Sequence, residues 1–272
     1  MDIWCKVYIA DASSMVEVES GTVQLAITSL PDIHLRPQEE KDRATDNSKA
    51  LMFNRMFVIE HWFPFLRPMV NEIHRVLKDD GVFFLNIGSP VRFWTISGYS
   101  VLLPLIMAEY IVTMSNLWLR RDFIANPAPN TGAISNILRE EREKGIAGVH
   151  QHYIMFSKGN TFKFKPPHNE VLSSSWFFRN ESNPLLEKFA RGEIPTPFPR
   201  DILRSIIEAF SDEGDTILDP CAGSGSIAAV GASLSRNSIV YEIQDRFEPI
   251  IKEHVALYDK DVSIKVEKRS TQ

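Results

Sequence analysis

Thr216-Ile217-Leu218-Asp219-Pro220-Cys221-Ala222-Gly223-Ser224-Gly225-Ser226 runs directly into a small-residue segment, Ile227-Ala228-Ala229-Val230-Gly231-Ala232. An apolar strand meets an acid and a glycine-rich turn, and a helix opens at once. Such a unit aims backbone N–H groups and Cα atoms without side chains across the strand's carboxyl end, which makes a cofactor pocket. About twenty residues beyond the turn, Ser238-Ile239-Val240-Tyr241 reads as the next parallel strand and ends in Glu242, where a carboxylate accepts both hydroxyls of a ribose. Dinucleotides are held in a related way. Here, however, the spacing is Asp-x-x-x-Gly-x-Gly, which lacks the third glycine of the dinucleotide fingerprint and puts an acid where a pyrophosphate would be repelled. A cationic, phosphate-free adenosine cofactor suits that acid better. The competing reading is a plain glycine turn between a buried strand and helix.

With 272 residues, 44% of them hydrophobic and 24% charged, the chain is expected to form one α/β unit with a large core. Its longest apolar run, Val101 to Ala108, is far short of the roughly 20 residues of a membrane span. No charged-then-apolar leader opens the chain, so a cytoplasmic protein without a membrane partner is expected. Two cysteines, Cys5 and Cys221, provide neither a disulfide framework nor a metal cluster, and no metal site is expected. A net charge of −5 is not that of a nonspecific nucleic-acid coat, since neutralising phosphates takes clustered Lys and Arg. A local basic groove has candidates in Arg120-Arg121, in Lys158 to Lys165, and around Arg191 and Arg200; each reads equally well as a solvated face.

From the N-terminus, Lys6 to Ala10 alternates as a short strand and stops at Asp11, and Val23 to Ile27 is a buried-looking run that ends in Thr28-Ser29-Leu30-Pro31-Asp32. Strand carboxyl ends carry the chemistry of an open parallel sheet, so Asp11 and Ser29 belong on the cofactor side. Residues 36 to 50 are polar and aperiodic and read as a mobile loop over the site. Phe53, Phe57, Ile59, Trp62, Phe63, Leu66, Val70, Ile73 and Leu77 recur at near-helical spacing, with Pro64 and Pro68 suggesting a break and Gly81 the helix end. Val82 to Gly88 follows as a buried strand, with Asn86 at its end as either a substrate-loop anchor or a turn residue. Leu103 to Met114 suits a helix, Trp118 to Ile124 a strand, Asn126 to Asn130 an extended loop, and Asn136 to Lys144 a charged helix. His152 to Phe164 reads as a β-hairpin turning at Gly159-Asn160. His150 and His152 share a strand face without partners at metal spacing. Trp176-Phe177-Phe178-Arg179 is either an exposed base-stacking cluster or core. Asp201 is expected to cap a helix over Ile202 to Phe210, Phe247 to Tyr258 forms the last helix, and Val262 to Val266 an edge strand.

Asp219-Pro220-x-x-Gly223-Ser224-Gly225 resembles the S-adenosylmethionine motif of amino methyltransferases that act on DNA. Ser29-Leu30-Pro31-Asp32 resembles their catalytic Ser-Pro-Pro-Tyr, and Ile194-Pro195-Thr196-Pro197-Phe198-Pro199 their His-Pro-Ala-x-Phe-Pro. The catalytic motif comes first and the cofactor motif about 190 residues later, an order similar to that of the β class of the family. The resemblance implies a Rossmann-like methyltransferase sheet, mostly parallel with a late antiparallel hairpin and helices on both faces. It implies one domain in circular order, with a catalytic half over 1–165, a small target-recognition insert over 166–194 and a cofactor half over 195–272. S-adenosylmethionine would be bound by Asp11, Thr196, Phe198, Asp219, Pro220, Ala222, Gly223, Ser224, Gly225 and Glu242. The catalytic residues would be Ser29, Leu30, Pro31 and Asp32, acting on an exocyclic amine of a flipped DNA base within a restriction–modification system. In the family a serine at the first catalytic position leans toward cytosine N4 and an aspartate toward adenine N6. Two departures stand out. Leu30 replaces the first proline, and Asp32 replaces the stacking tyrosine, whose role would pass to His34, Trp176 or Phe177. A noncatalytic subunit that binds a partner protein or nucleic acid, an RNA amino methyltransferase, and a homodimer are the alternatives the resemblance leaves open.

Overall fold

The structure, a computed structural model, describes residues 2–30, 63–88, 103–127, 150–165, 175–178 and 198–269. Its strands are β1 (Trp4–Ile9), β2 (Val23–Ser29), β3 (Leu77–Gly88), β4 (Trp118–Pro127), β5 (Gln151–Ser157), β6 (Ser175–Phe178), β7 (Thr216–Asp219), β8 (Asn237–Glu242) and β9 (Ser263–Lys268). The helices are α1 (63–76), α2 (Leu103–Met114), α3 (Arg200–Phe210), α4 (Ser226–Ser233) and α5 (Glu248–Tyr258). The nine strands among the described residues join one sheet in the order β6-β4-β5-β3-β2-β7-β8-β1-β9. Every neighbouring pair is parallel except the two pairs made by β5.

β2 is buried along almost its whole length, as a central parallel strand with helices on both faces must be. On one face Val23 and Ala26 pack with Leu66, Met69, Val70 and Ile73 of α1 and with Met107 and Ile111 of α2. On the other, Leu25 and Ile27 meet Ile202, Leu203, Ile206, Ile207 and Phe210 of α3. α4 and α5 cover the flank carrying β8 and β1. From β7 the chain proceeds to β8 on one side, and from β2 to β3 on the other. The sheet therefore has its switch point between β2 and β7, and a crevice opens at their carboxyl ends.

Several local expectations are corrected. α1 runs unbroken through Pro68 to Val76. One proline costs about 3 kcal/mol, while burying Leu66, Met69, Val70 and Ile73 returns about 1.5–3 kcal/mol each, so packing wins. Gly81 does not end that helix. It lies inside β3, where a Cβ would sit 2.9 Å from the Lys78 carbonyl oxygen at an irregular step in the pairing with β2. Among the described residues no second hairpin strand follows Gly159, because both edges of β5 are already taken by β3 and β4. Residues 162–165 are instead tied to β3 and to the end of α3 by Lys163 N–H to the Asp80 carbonyl and Lys165 N–H to the Ala209 carbonyl. β5 is thus the antiparallel element of the sheet. β4 continues to Pro127, past the expected loop start at Asn126. Asp201 sits in the first turn of α3 without a side-chain capping bond, and the N-cap is Pro199. The mobile loop of 36–50 and the helix at Asn136 to Lys144 lie outside the described residues. Among the described residues no helix is long and apolar enough to cross a membrane, and no group of side chains is arranged to hold a metal ion.

Of the suggested basic segments, Arg120, Lys158 and Lys163 are spent on structure, and Arg191 lies outside the described residues. Arg120 donates to Ser157 and to the Gly159 and Asn160 carbonyls, Lys158 to the Leu77 carbonyl, and Lys163 to Asp215 and Asp212. These residues gather where β3 begins and β5 ends, at the edge of the sheet opposite the crevice.

α4 lies close to the sheet because residue 231 is glycine. A Cβ there would come 2.3 Å from Ile217 Cδ1 and 3.1 Å from Ser238 Oγ, both buried. Replacing a helical glycine gains about 1 kcal/mol in propensity, but overpacking a filled core costs about 1–3 kcal/mol and a valine adds further atoms. Gly231→Val is therefore expected to lower the urea midpoint with an unchanged slope. An unaltered midpoint would show that α4 is free to move away from the sheet.

Candidate functional site

Four parallel strands end side by side on the crevice edge. β1 leads to Asp11, β8 ends in Glu242, β7 in Asp219 and β2 in Ser29. Adjacency of β2 and β7 brings the two halves of the chain together at one point: Thr28 Oγ1 donates to Asp219 Oδ1 at 3.2 Å, with both side chains buried.

The turn after β7 is shaped by its own carboxylates. Asp219 Oδ1 also accepts the Cys221 N–H at 3.1 Å. Burial dominates this group and pushes its pKa up to about 7, although the two donors pull the other way. Gly223 adopts φ +52°, a left-handed geometry that sends its N–H to Glu242 Oε2 at 2.8 Å, while Gln244 N–H reaches Oε1 at 2.9 Å. Burial also raises the pKa of Glu242, against the pull of these backbone donors. A carboxylate has about four lone-pair sites. Gly223 and Gln244 take one on each oxygen and the Ile243 N–H also acts on the carboxylate, which still leaves acceptor capacity for a ribose hydroxyl.

Gly225 has a different task from Gly223. It is left-handed at φ +79° and caps α4, and a Cβ on it would come 3.1 Å from Ile251 Cγ2 and 3.2 Å from Ile251 Cα in α5. Ser224 shares a hydrogen bond with Ser226 between their hydroxyls, and its carbonyl accepts from His254 Nδ1 at 2.9 Å. Burial lowers the pKa of His254, so a neutral imidazole on α5 holds the turn. Pro220 and Ala222 are buried, and Ala222 N–H donates to the Tyr241 carbonyl. Asp11 lies next to the end of β8, where Ala10 N–H bonds the Glu242 carbonyl. Its Oδ1 accepts the Ser13 N–H at 2.8 Å, and Arg269 clasps its carbonyl at 2.7 Å.

The crevice thus gathers Asp11, Asp219, Gly223 and Glu242 around one turn, with Pro220, Ala222, Ser224 and Gly225 as its skeleton. The turn from Asp219 to Ser226 holds no Lys or Arg, so it suits a cation and a diol and would repel a pyrophosphate. Phe198 is half-buried, with its ring 6.1 Å from that of Tyr153, and packs on the core under β5. Thr196 lies outside the described residues.

On the other side of the switch point, Ser29 Oγ lies 3.2 Å from Asn86 Oδ1, its neighbour in register on β3. Leu30 buries its side chain in the core. Pro31 and Asp32, together with His34, lie outside the described residues. Trp176 is not an exposed stacking platform: it is 7% exposed and stacks on Phe123 with ring centroids 4.5 Å apart. Burial on this flank gains more than display of an indole to water.

Three residues at the site escape a reading of the sequence. Thr28 carries the bridge to Asp219, Gln151 bonds Asn86 at 3.2 Å, and Ile243 stands 58% exposed directly after Glu242. Only Ile243 has a local signal, an isoleucine immediately past a strand-ending acid. The other two depend on strand register between distant segments.

Comparison with known proteins agrees with this geometry. The family model described as DNA methylase, of the N6 and N4 amino type, matches residues 23–253. The type II methyltransferase M.MjaI of Methanocaldococcus jannaschii is 26% identical over 95% of this chain and 93% of its own length. M.SmaI of Serratia marcescens is 25% identical over 92% of this chain and 90% of its own. Among solved structures, the cytosine-N4-specific PvuII DNA methyltransferase superposes with a TM-score of 0.68 at 17% identity, covering 97% of this chain and 96% of that one. A Thermus thermophilus protein described as a DNA modification methylase, complexed with S-adenosyl-L-methionine, gives 0.66 at 18% identity, covering 98% and 99%. At such identities these superpositions speak to the fold.

The raised pKa of Asp219 makes stability depend on pH. In the unfolded chain an aspartate loses its proton near pH 4, whereas here it holds the proton to about pH 7. The folded state therefore binds more protons between those values, and stability falls as pH rises through that window. Between pH 5 and pH 8 this group removes about 2–3 kcal/mol of stability. Urea unfolding should show that loss in the wild type and a loss smaller by that amount in Asp219→Asn; equal losses in the two proteins would place the ionisation elsewhere.

Proposed function

The chain belongs to the N6/N4 family of DNA methylases, and from that premise we propose that it transfers a methyl group from S-adenosylmethionine to an exocyclic amine in DNA, cytosine N4 in preference to adenine N6. The observation that carries this reading is the Thr28–Asp219 hydrogen bond, which sets the end of β2 beside the glycine-rich turn. Asp219, Gly223 and Glu242 fit the cofactor: the acid beside the turn favours a sulfonium cation, and the spare lone pairs of Glu242 suit ribose hydroxyls. The exposed side chain of Ile243 offers an apolar face for the adenine ring, and Asp11 a nearby acceptor. When bound, S-adenosylmethionine supplies the electrophilic methyl group.

An exocyclic amine is a poor nucleophile because its lone pair is delocalised into the ring. Ser29 Oγ and the Leu30 carbonyl are assigned as the acceptors of its two hydrogens, which leave the lone pair directed at the methyl group. The proline that fixes this backbone in related enzymes is absent, and burial of the Leu30 side chain anchors the strand end instead. The base must leave its stack to reach this site, at about a few kcal/mol. Serine at the first catalytic position supports cytosine N4. We assign the catalytic half to 1–165, target recognition to 166–194 and the cofactor half to 195–272, and place the protein in the modification arm of a restriction–modification system. Asp32 in place of the stacking tyrosine favours a second reading, in which the chain binds a partner protein or nucleic acid without catalysis.

Incubating the protein with labelled S-adenosylmethionine and unmodified genomic DNA, followed by nucleoside mass spectrometry, should yield N4-methylcytosine. N6-methyladenine would overturn the base preference, and absence of product despite measurable cofactor binding would favour the second reading. In the same system Glu242→Ala should weaken cofactor affinity by roughly 10- to 100-fold in calorimetry, since charge-assisted hydrogen bonds contribute about 1.5–3 kcal/mol each. Unchanged affinity would move the ribose site elsewhere.

A further inference from the structure

We propose that Asn86 is a positioning residue that makes the Ser29 hydroxyl an obligate hydrogen-bond acceptor toward the substrate, and that β5 locks Asn86 in the orientation this requires. The inference deepens the reading of Ser29 as an acceptor of an amine hydrogen and rests on it.

A serine hydroxyl is ambivalent, able to donate or accept. If Ser29 donated into the active site, it would bond the amine lone pair and block the attack it is meant to assist. Its proton must therefore be held elsewhere, and Asn86 Oδ1 lies 3.2 Å away. The amide of Asn86 has a definite sense because its other end meets atoms that only accept. Asn86 Nδ2 reaches the backbone carbonyl of His152 at 3.4 Å and Gln151 Oε1 at 3.2 Å. Flipping the amide would set its oxygen against the His152 carbonyl, lone pair to lone pair. Gln151 is oriented in turn, since its Oε1 also accepts from the Tyr153 hydroxyl at 3.1 Å. Tyr153 is fully buried, and burial raises its pKa far above the working range, so the phenol keeps the proton that it donates to Gln151.

The polarity then runs one way, from Tyr153 to Gln151, from Asn86 to Gln151 and the His152 carbonyl, and from Ser29 to Asn86. Once its proton is committed to Oδ1, Ser29 Oγ shows the crevice only lone pairs. An oxygen fixed in that state favours an amine hydrogen and penalises a carbonyl oxygen at the same place, because buried lone pairs would then face each other. The register of β3 against β2 and β5 makes the chain possible: Asn86 is the partner of Ser29 on one side and of Tyr153 on the other.

A double-mutant cycle tests this, with single-turnover methylation of unmodified genomic DNA by labelled S-adenosylmethionine as the rate and cofactor calorimetry as the binding control. Asn86→Ala should slow methyl transfer about tenfold, on the scale of one lost hydrogen bond, with cofactor affinity kept. In a Ser29→Ala background the same change should have no further effect on rate, since there is no hydroxyl left to orient. An equal slowing in both backgrounds would make Asn86 merely structural and overturn the inference. A Ser29→Ala protein as fast as the wild type would instead sink the reading of Ser29 itself. Should Asn86→Ala fail to fold, Asn86→Asp decides. Its carboxyl accepts from Ser29 in either protonation state, so methyl transfer should stay nearer the wild-type rate than the rate of Ser29→Ala. A rate as low as that of Ser29→Ala, with cofactor affinity kept, would overturn the inference.

Discussion

Parallel pairing of β2 with β7 is the constraint on which the rest depends. Leu25 and Ala26 align with Ile217 and Leu218, segments that lie far apart in the chain. A parallel pair needs a long crossover, and here residues 30–215 serve as that crossover. The cost of closing such a long loop grows only slowly with its length, and burial of β2 under α1, α2 and α3 offsets it. Once the pair forms, chain direction fixes the chemistry. β2 and β7 end on the same edge, with no loop interposed, and the distance between them becomes one strand spacing of about 4.8 Å.

Placing acids at that edge is unfavourable unless the backbone compensates. Asp219 receives one N–H and one hydroxyl, yet burial still outweighs them and holds its pKa near 7. Glu242 is better supplied, with N–H donors from Gly223 and Gln244 on separate oxygens. Its charge also adds to the upward shift of Asp219. A turn of this kind holds unfavourable electrostatics that a cation would relieve, so part of the binding energy for a sulfonium would be prepared by folding. α5 helps to hold the turn in that state through His254 and through Ile251, which packs where a side chain at Gly225 would have to go.

The legible parts of the sequence are those whose signals are local. The β7–turn–α4–β8 unit can be read because an apolar run, an acid, two glycines and a small-residue helix follow one another within a few dozen residues. α2 has the bounds its sequence predicts for the same reason. Gly81 misleads because a glycine after an apolar helix resembles a C-cap, whereas its role is set by a bulge against β2, more than fifty residues earlier. The hairpin expected at Gly159 fails on a fact no local window contains, namely that both edges of β5 are occupied. Trp176 follows the same rule: only the arrival of β6 beside β4 decides that its indole stacks on Phe123 instead of facing solvent. Thr28 and Gln151 carry no motif. Each matters because of the residue that another strand delivers opposite it.

The acidic charge of the chain bears on how it would meet DNA. Phosphate contacts take clustered cations, and the described Lys78, Arg120, Lys158 and Lys163 are committed to Asp215, Ser157 and backbone carbonyls at the far edge. Those pairs hold the amino ends of the central strands together. Burial alone would raise the pKa of Asp215 there, but its bonds to Lys163 and Lys78 outweigh burial and keep the carboxyl below its usual range. The two edges of the sheet therefore divide the work. The amino edge spends its charges on one another and gains rigidity, while the carboxyl edge keeps its acids partly unsatisfied and gains affinity for a cation. A sheet whose amino edge were not tied in this way would leave the register of β2 against β3 and β7 free to slip. A slip of one residue would turn Ser29 to the face now held by Thr28 and dissolve both the bridge to Asp219 and the bond to Asn86.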